Sequence, residues 1–166
     1  MNFADVNPNL LNVGRYIRDL LTFPEGQILF GRINEELYDL TTDLIVIDSL
    51  ASTVIGEEPD YDGVNEVLSY RNRIRDQITI DIYGSNAYTY ASKLRVLIKG
   101  EASYELQRTL GIGVYHVGNI QDLKFLGGTQ YSNRINLEMG VQYLESVDVN
   151  TLRIDEAQFS TLLFNE

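Results

Sequence analysis

Cysteine is absent from all 166 residues, which excludes disulfides and thiolate metal sites. Histidine is almost absent: His116 stands alone, so no imidazole cluster can hold a metal. Basic residues are scarce, 13 Lys and Arg against 24 Asp and Glu, for a formal net charge of −11. Binding to nucleic acid draws on counterion release by Lys and Arg beside phosphates, so this balance argues against it. An acidic wall can also let DNA slide past, although solubility alone accounts for the charge more simply. No apolar run approaches the length of a bilayer span. Met1–Asp5 has neither the basic nor the apolar region of a signal peptide. The expectation is a soluble chain with no membrane partner, made in a cytoplasm.

What remains is the composition of an ordinary folded protein, 44% hydrophobic and 22% charged, long enough for one domain over residues 1–166. Asn7-Pro8 reads as a helix cap followed by proline at the first helical position. Leu10, Val13, Ile17, Leu20 and Leu21 then form a helical stripe that Phe23-Pro24 ends. Gly14 within it costs about 1 kcal/mol of helix propensity, and close packing on a sheet is the compensation to look for. Ile28–Phe30 and Leu44–Ile47 read as short strands, joined through Asn34–Glu36 and Thr41–Asp43. Thr53–Val67 shows little periodicity and reads as a long loop, of the kind that is functional or disordered.

From Leu68 the pattern sharpens. Leu68, Tyr70, Ile74, Ile78, Ile80 and Ile82 fall on one face of a strand, and Ser69, Arg71, Arg73, Arg75, Gln77, Thr79 and Asp81 on the other. Gly84-Ser85-Asn86 turns the chain, with Ser85 or Asn86 a candidate cap. An amphipathic helix follows through Ala87, Ala91, Leu94 and Ile98, and Gly100 suits a left-handed stop. A second helix, about Ala102–Leu110, stops at Gly111 in the same way. Val114–Phe125 and the alternating Ile135–Tyr143 read as strands that pair antiparallel across a turn at Gly127-Gly128. Leu152 and Ile154 suggest a last short strand, and Phe159, Leu162, Leu163 and Phe164 make an apolar tail. The fold class predicted is α+β, a mainly antiparallel sheet with the 8–22 and 86–99 helices packed on one face.

Catalytic constellations are missing. His116 has no nucleophile or orienting group beside it in sequence, and a lone strand histidine is more often structural. The acidic run at 57–62 lacks the ligand spacing of a calcium loop, and a solvated charge run describes it better. Gly111-Ile112-Gly113 precedes a strand and lacks the third glycine of a dinucleotide loop. No catalytic, cofactor-binding or metal-binding residue is assigned and no cofactor is expected. Arg71, Arg73 and Arg75 are different: along a strand they span about 13 Å and could meet a row of carboxylates on a neighbour. A plain solvated face is the equal alternative.

Tyr70-Arg71-Asn72-Arg73 leading into Ile78–Gly84, the small-residue helix through Ala87 and Ala91, Val117–Leu123, the turn at Gly127-Gly128, and Tyr131-Ser132-Asn133-Arg134 opening the last long strand together resemble tailed-phage neck and tail-terminator proteins. The resemblance covers most of the chain through loose structural patterns. It implies a tail-terminator-like α+β fold assembling into a homo-hexameric ring at the head–tail junction of the virion, put together in the host bacterial cytoplasm. Such a ring caps the tail tube, ends its polymerisation and offers the interface to the neck or head. It implies no enzymatic activity. Implied partners are further copies of the chain, the tail tube protein, neck or connector proteins and, as a further candidate, the sheath, with DNA passing through the lumen without specific binding. Arg71, Arg73, Arg75 and Arg134, with Phe159, Leu163 and Phe164 of a docking tail at 154–166, are the interface candidates. The competing readings are a ligand-binding or enzymatic α+β domain, and another head–tail connector or baseplate component.

Overall fold

The computed structural model describes residues 7–32, 38–65, 67–123, 125–127 and 130–150, without the side chains of 125–127, 130–132 and 150. Its elements run α1 (Pro8–Leu21), β1 (Ile28–Phe30), β2 (Leu44–Asp62), β3 (Val67–Tyr83), α2 (Ala87–Leu97), α3 (Glu101–Leu110), β4 (Ile112–Asp122), β5 (Phe125–Gly127), β6 (Gln130–Ser132) and β7 (Arg134–Asn150).

Helix α1 begins as the sequence dictates. The Asn7 side chain accepts the backbone N–H of Asn9 at 2.9 Å, and Pro8 occupies the first turn, where a missing N–H costs nothing. The helix stops at Thr22, whose φ of 55° is left-handed. Leu10, Val13, Tyr16, Ile17, Leu20 and Leu21 are buried. Gly14 packs against the tip of the Phe30 ring of β1, in space a Cβ would need. That contact is the return for its low helix propensity.

Five strands form one sheet in the order β1-β2-β3-β7-β4, and β5 and β6 pair separately. Only β1 and β2 are parallel; β2–β3, β3–β7 and β7–β4 are antiparallel. All three helices pack on one face, as expected for an α+β chain. Ile45 and Ile47 of β2, Ile74, Ile78, Ile80 and Ile82 of β3, and Ile135, Leu137, Met139 and Val141 of β7 meet Ala87, Ala91 and Leu94 of α2 and the α1 stripe there. The opposite face carries a small apolar group, Leu44, Val46 and Tyr83, flanked by Leu29, Tyr38 and Leu40.

Two buried polar links cross this core. Tyr16 Oη and Ser103 Oγ lie 2.7 Å apart, Gln107 Nε2 donates to Ser103 Oγ at 2.9 Å, and Gln107 Oε1 accepts the Val114 N–H at 2.8 Å. This chain of bonds ties α1, α3 and β4 together. In the second link, Tyr143 Oη donates to Asp76 Oδ2 at 2.7 Å. Burial raises the pKa of both phenols: Tyr16 above its usual 10.0, and Tyr143 to about 12, where the Asp76 hydrogen bond adds to the effect.

Three expectations need correction. Thr53–Val67 is not a long loop: Thr53–Asp62 is the distal half of β2, paired with β3 down to Asp62↔Val67. Two register shifts, at Leu50 and Ile55, break the period-2 pattern that would have revealed it. Pro59 fits because β1 reaches only residues 45–47, leaving the rest of β2 an edge strand. Gly100 is not a left-handed stop either; with φ −85° and ψ 162° it is the extended N-cap of α3, whereas Gly111 is left-handed as expected, at φ 67°. Tyr70, placed with the core face of its strand, is 51% exposed because the helices do not extend that far. Between Ser85 and Asn86 the cap position falls to Asn86, but its side chain bonds Asp43 instead of the helix. The elements suggested at Leu152–Ile154 and Phe159–Phe164, and the connection Asn34–Glu36, lie outside the described residues.

Candidate assembly surface

Strands β2, β3 and β7 outrun the helices. Burial in β3 begins at Ile74 and in β7 ends at Tyr143, and nearly every described residue of 49–62, 67–73 and 144–150 is exposed or half-buried. The three strand ends form an arm projecting beyond the core. At its tip, Asp62 Oδ1 accepts the backbone N–H groups of Val64 at 2.9 Å and Asn65 at 3.2 Å, and Asp62 Oδ2 the Asn65 side-chain amide at 2.6 Å. The Asn65 side chain and these backbone bonds hold the Asp62 carboxyl below its usual range.

The arm's face away from the helices is charged. Arg71 reaches Asp60 at 3.1 Å and Arg73 reaches Glu58 at 3.5 Å, both diagonally across the β2–β3 pair. Ser69 donates to Asp148 at 2.7 Å across β3–β7. The Arg75 guanidinium lies over the Tyr115 ring, 4.9 Å from its centre. Tyr115 belongs to β4, one strand farther out, and reaches across β7 where Gly140 leaves room for its ring. The row of carboxylates sought for these arginines is therefore partly supplied by the chain itself. Both ion pairs are exposed and contribute about 0–1 kcal/mol each.

Arg134 does not join this row. It sits opposite Tyr83, eight residues along β3 from Arg75 or roughly 27 Å. There it makes a two-pronged contact with Asp81, Nε to Oδ1 at 3.1 Å and Nη2 to Oδ2 at 2.8 Å, and stands over the Tyr83 ring. Asn136 donates to both Asp81 Oδ1 and Thr79 Oγ1, completing a half-buried polar cluster at the base of the sheet. Phe159, Leu163 and Phe164 lie outside the described residues.

The sequence reading missed Glu58, Asp60 and Tyr115 as partners. The first two carried a signal: acids two apart, then a glycine turn, then arginines two apart, which is the pattern of a charged hairpin face.

His116 is exposed on β4 beside a register shift, and no group of three metal-ligating side chains occurs among the described residues. Of the surface depressions, one at the base of the sheet holds the Arg134–Asp81 and Arg32–Asp48 ion pairs. Another, of about 470 Å³ on α2, is lined by Tyr88, Thr89, Ser92, Lys93, Val96 and Leu97. No described helix is long and apolar enough to cross a membrane.

A sheet with one helical layer and a projecting charged arm defines a scaffold that presents surfaces. The chain belongs to the phage neck terminator protein family, whose pattern matches residues 12–164. That family is one of structural phage tail terminators, not of enzymes. Among solved structures it is similar to the sheath/tube terminator of the PVC extracellular contractile injection system in its extended state. The match has a TM-score of 0.50 at 13% identity and covers 95% of this chain. The chain spans 64% of the length of that terminator. No curated protein matches the sequence.

Proposed function

We propose that the protein caps the finished tail tube as a homo-hexameric ring, ends tube polymerisation and presents its outer face to the neck or head. The family match over residues 12–164 carries this reading, and the likeness to a sheath/tube terminator supports it. The chain acts as one domain, with residues 154–166 as a docking tail. A closed ring needs two different complementary surfaces on each copy. The arginine row at 71–75 and the Arg134 cluster lie far enough apart on one sheet face to serve two neighbours. The tail residues Phe159, Leu163 and Phe164 supply apolar contact. Partners are the tube protein, neck or connector proteins and, where a phage has one, the sheath. The ring sits at the head–tail junction after assembly in the bacterial cytoplasm, and DNA crosses its lumen without specific binding.

Deleting the gene in the phage tests this directly. Tails of irregular length, or tails that fail to join heads, are the expected result, seen by negative-stain microscopy. Normal-length, head-attached tails would reject it.

A further inference from the structure

The longest acid-free stretch of this acidic chain is Ile82–Gly100, and it carries Lys93, Arg95 and Lys99. Helix α2 lies within it. Ala87, Ala91 and Leu94 bury one side of the helix in the core. Tyr88, Ser92, Arg95 and Lys99 follow at helical spacing on another side. Arg95 and Lys99 are exposed there and have no ion pair among the described residues. Tyr88 is 61% and Val96 68% exposed, and both line the depression of about 470 Å³. This face is basic and apolar.

The arm offers the opposite charge. On its helix side the row Glu57–Asn72–Glu145 crosses the three strands, followed toward the tip by Pro59–Tyr70–Val147. Glu58 and Asp60, on the other side, are held by Arg73 and Arg71. Glu57 and Glu145 are exposed and have no ion pair among the described residues. Tyr70 is 51% and Val147 64% exposed beside them. The two acids stand two strand spacings apart, about 10 Å. Arg95 and Lys99 stand one helical turn apart, about 6 Å, and their long side chains span the difference. Two acids beside two apolar groups thus face two bases beside two apolar groups.

These surfaces cannot meet within one chain. Asn72 lies eleven residues along β3 from Tyr83, about 36 Å. Helix α2 starts just after Tyr83 and is only about 16 Å long. Arm and helix therefore stand at opposite ends of a paired sheet, and the contact runs from one copy to the next. A head-to-tail contact of this kind is what closes a ring. Three strands by two rows measure roughly 10 by 7 Å. That is far below the roughly 800 Å² per partner of a stable two-chain interface, so two free copies hold each other weakly. A closed ring strengthens the contact, because each copy makes it twice.

We infer that the helix-side face of the arm of one copy docks on α2 of the next, with Glu57 and Glu145 meeting Arg95 and Lys99, and Tyr70 packing beside Tyr88 and Val96. The inference rests on the ring reading and names a contact that closes the ring. The arginine row lies on the arm's other face and keeps its own neighbours.

Charge reversal with rescue tests this on the full chain. One variant combines Glu57→Lys with Glu145→Lys, and the other Arg95→Glu with Lys99→Glu. All four positions are exposed, and circular dichroism verifies each fold. Zero-length carbodiimide cross-linking joins a carboxylate to a touching amine and so captures a weak contact between copies. Wild type should give cross-linked dimers and larger species in which Lys99 is joined to Glu57 or Glu145. Each variant alone should give about tenfold less of them, because like charges then face each other. An equimolar mixture of the two should recover them, since the reversed arm of one meets the reversed helix of the other. Misfolding cannot produce that recovery. Products that persist in both variants, or a mixture that fails to recover, would overturn the inference and leave the ring reading standing. A wild-type chain with no product between copies, free in solution or on purified tails, would overturn both.

Discussion

Tyr143 Oη donates a 2.7 Å hydrogen bond to Asp76 Oδ2 in the core, where Asp76 is 3% exposed and its other carboxyl oxygen has no partner among the described residues. Asn7, the α1 cap residue, approaches the same hydroxyl at 3.4 Å. One phenol thus joins the helix entry to the two central strands. Removing it with Tyr143→Phe leaves a buried carboxyl unsatisfied and should cost about 1–3 kcal/mol in urea unfolding.

The same pair makes the fold sensitive to alkali. The Tyr143 pKa is raised from 10.0 to about 12, so the neutral phenol is favoured in the folded state. The unfolded chain loses this proton first, and the stability is fully present below pH 10 and lost as pH rises toward about 12. Thermal unfolding between pH 9 and 12 should show this loss, and Tyr143→Phe should show less of it. An unchanged slope in the variant would mean that Tyr143 does not contribute. Tyr16, raised in the same direction, accounts for part of what remains.

Gly84 closes the β3–α2 turn with φ at 103°, and a Cβ there would run into the Asp43 backbone. Its carbonyl accepts the Asn133 side chain at 2.8 Å, and Asp43 holds Asn86 beside it. Gly84→Ala therefore meets both strain and collision. A loss of at least about 1–3 kcal/mol is expected by denaturant titration.

Reversing Arg71, Arg73 and Arg75 to Glu should leave the core folded, because their own pairs are exposed and contribute little. Like charges opposite Asp60 and Glu58 will loosen the arm by about 0.2–1 kcal/mol per pair. If the arm mediates assembly, ring formation or tail docking falls while circular dichroism stays native. Sedimentation velocity and tail-binding assays separate the two effects. Undiminished assembly would remove these arginines from the interface.

Duplex DNA should not bind the isolated protein at physiological salt. With a net charge of −11 and two of the three arm arginines already beside carboxylates, few cations are left to displace counterions. Fluorescence anisotropy with a labelled duplex should remain flat. Tight, salt-sensitive binding would contradict a lumen that DNA merely traverses.

The sequence determined the parts whose two faces differ. Ile74–Ile82 and Ile135–Tyr143 were legible because one side meets helices and the other does not, so the period-2 pattern had a reason to exist. The α1 stripe and its Asn7-Pro8 start were legible for the same reason, and the shared patterns around 70–84 and 117–134 pointed to the family. Tertiary structure alone decided the arm. Residues 49–62 face water on both sides and pass through two bulges, so selection for burial left no alternation to read. Asp76 is the converse case: an acid on the core face is acceptable only because Tyr143, 67 positions away, arrives to bond it. Gly100 likewise fits either a stop or a start, and the direction of α3 settled which. Local chemistry chose the strands and helices; which acids found partners, and how far the sheet outran its helices, depended on contacts between residues distant in the chain.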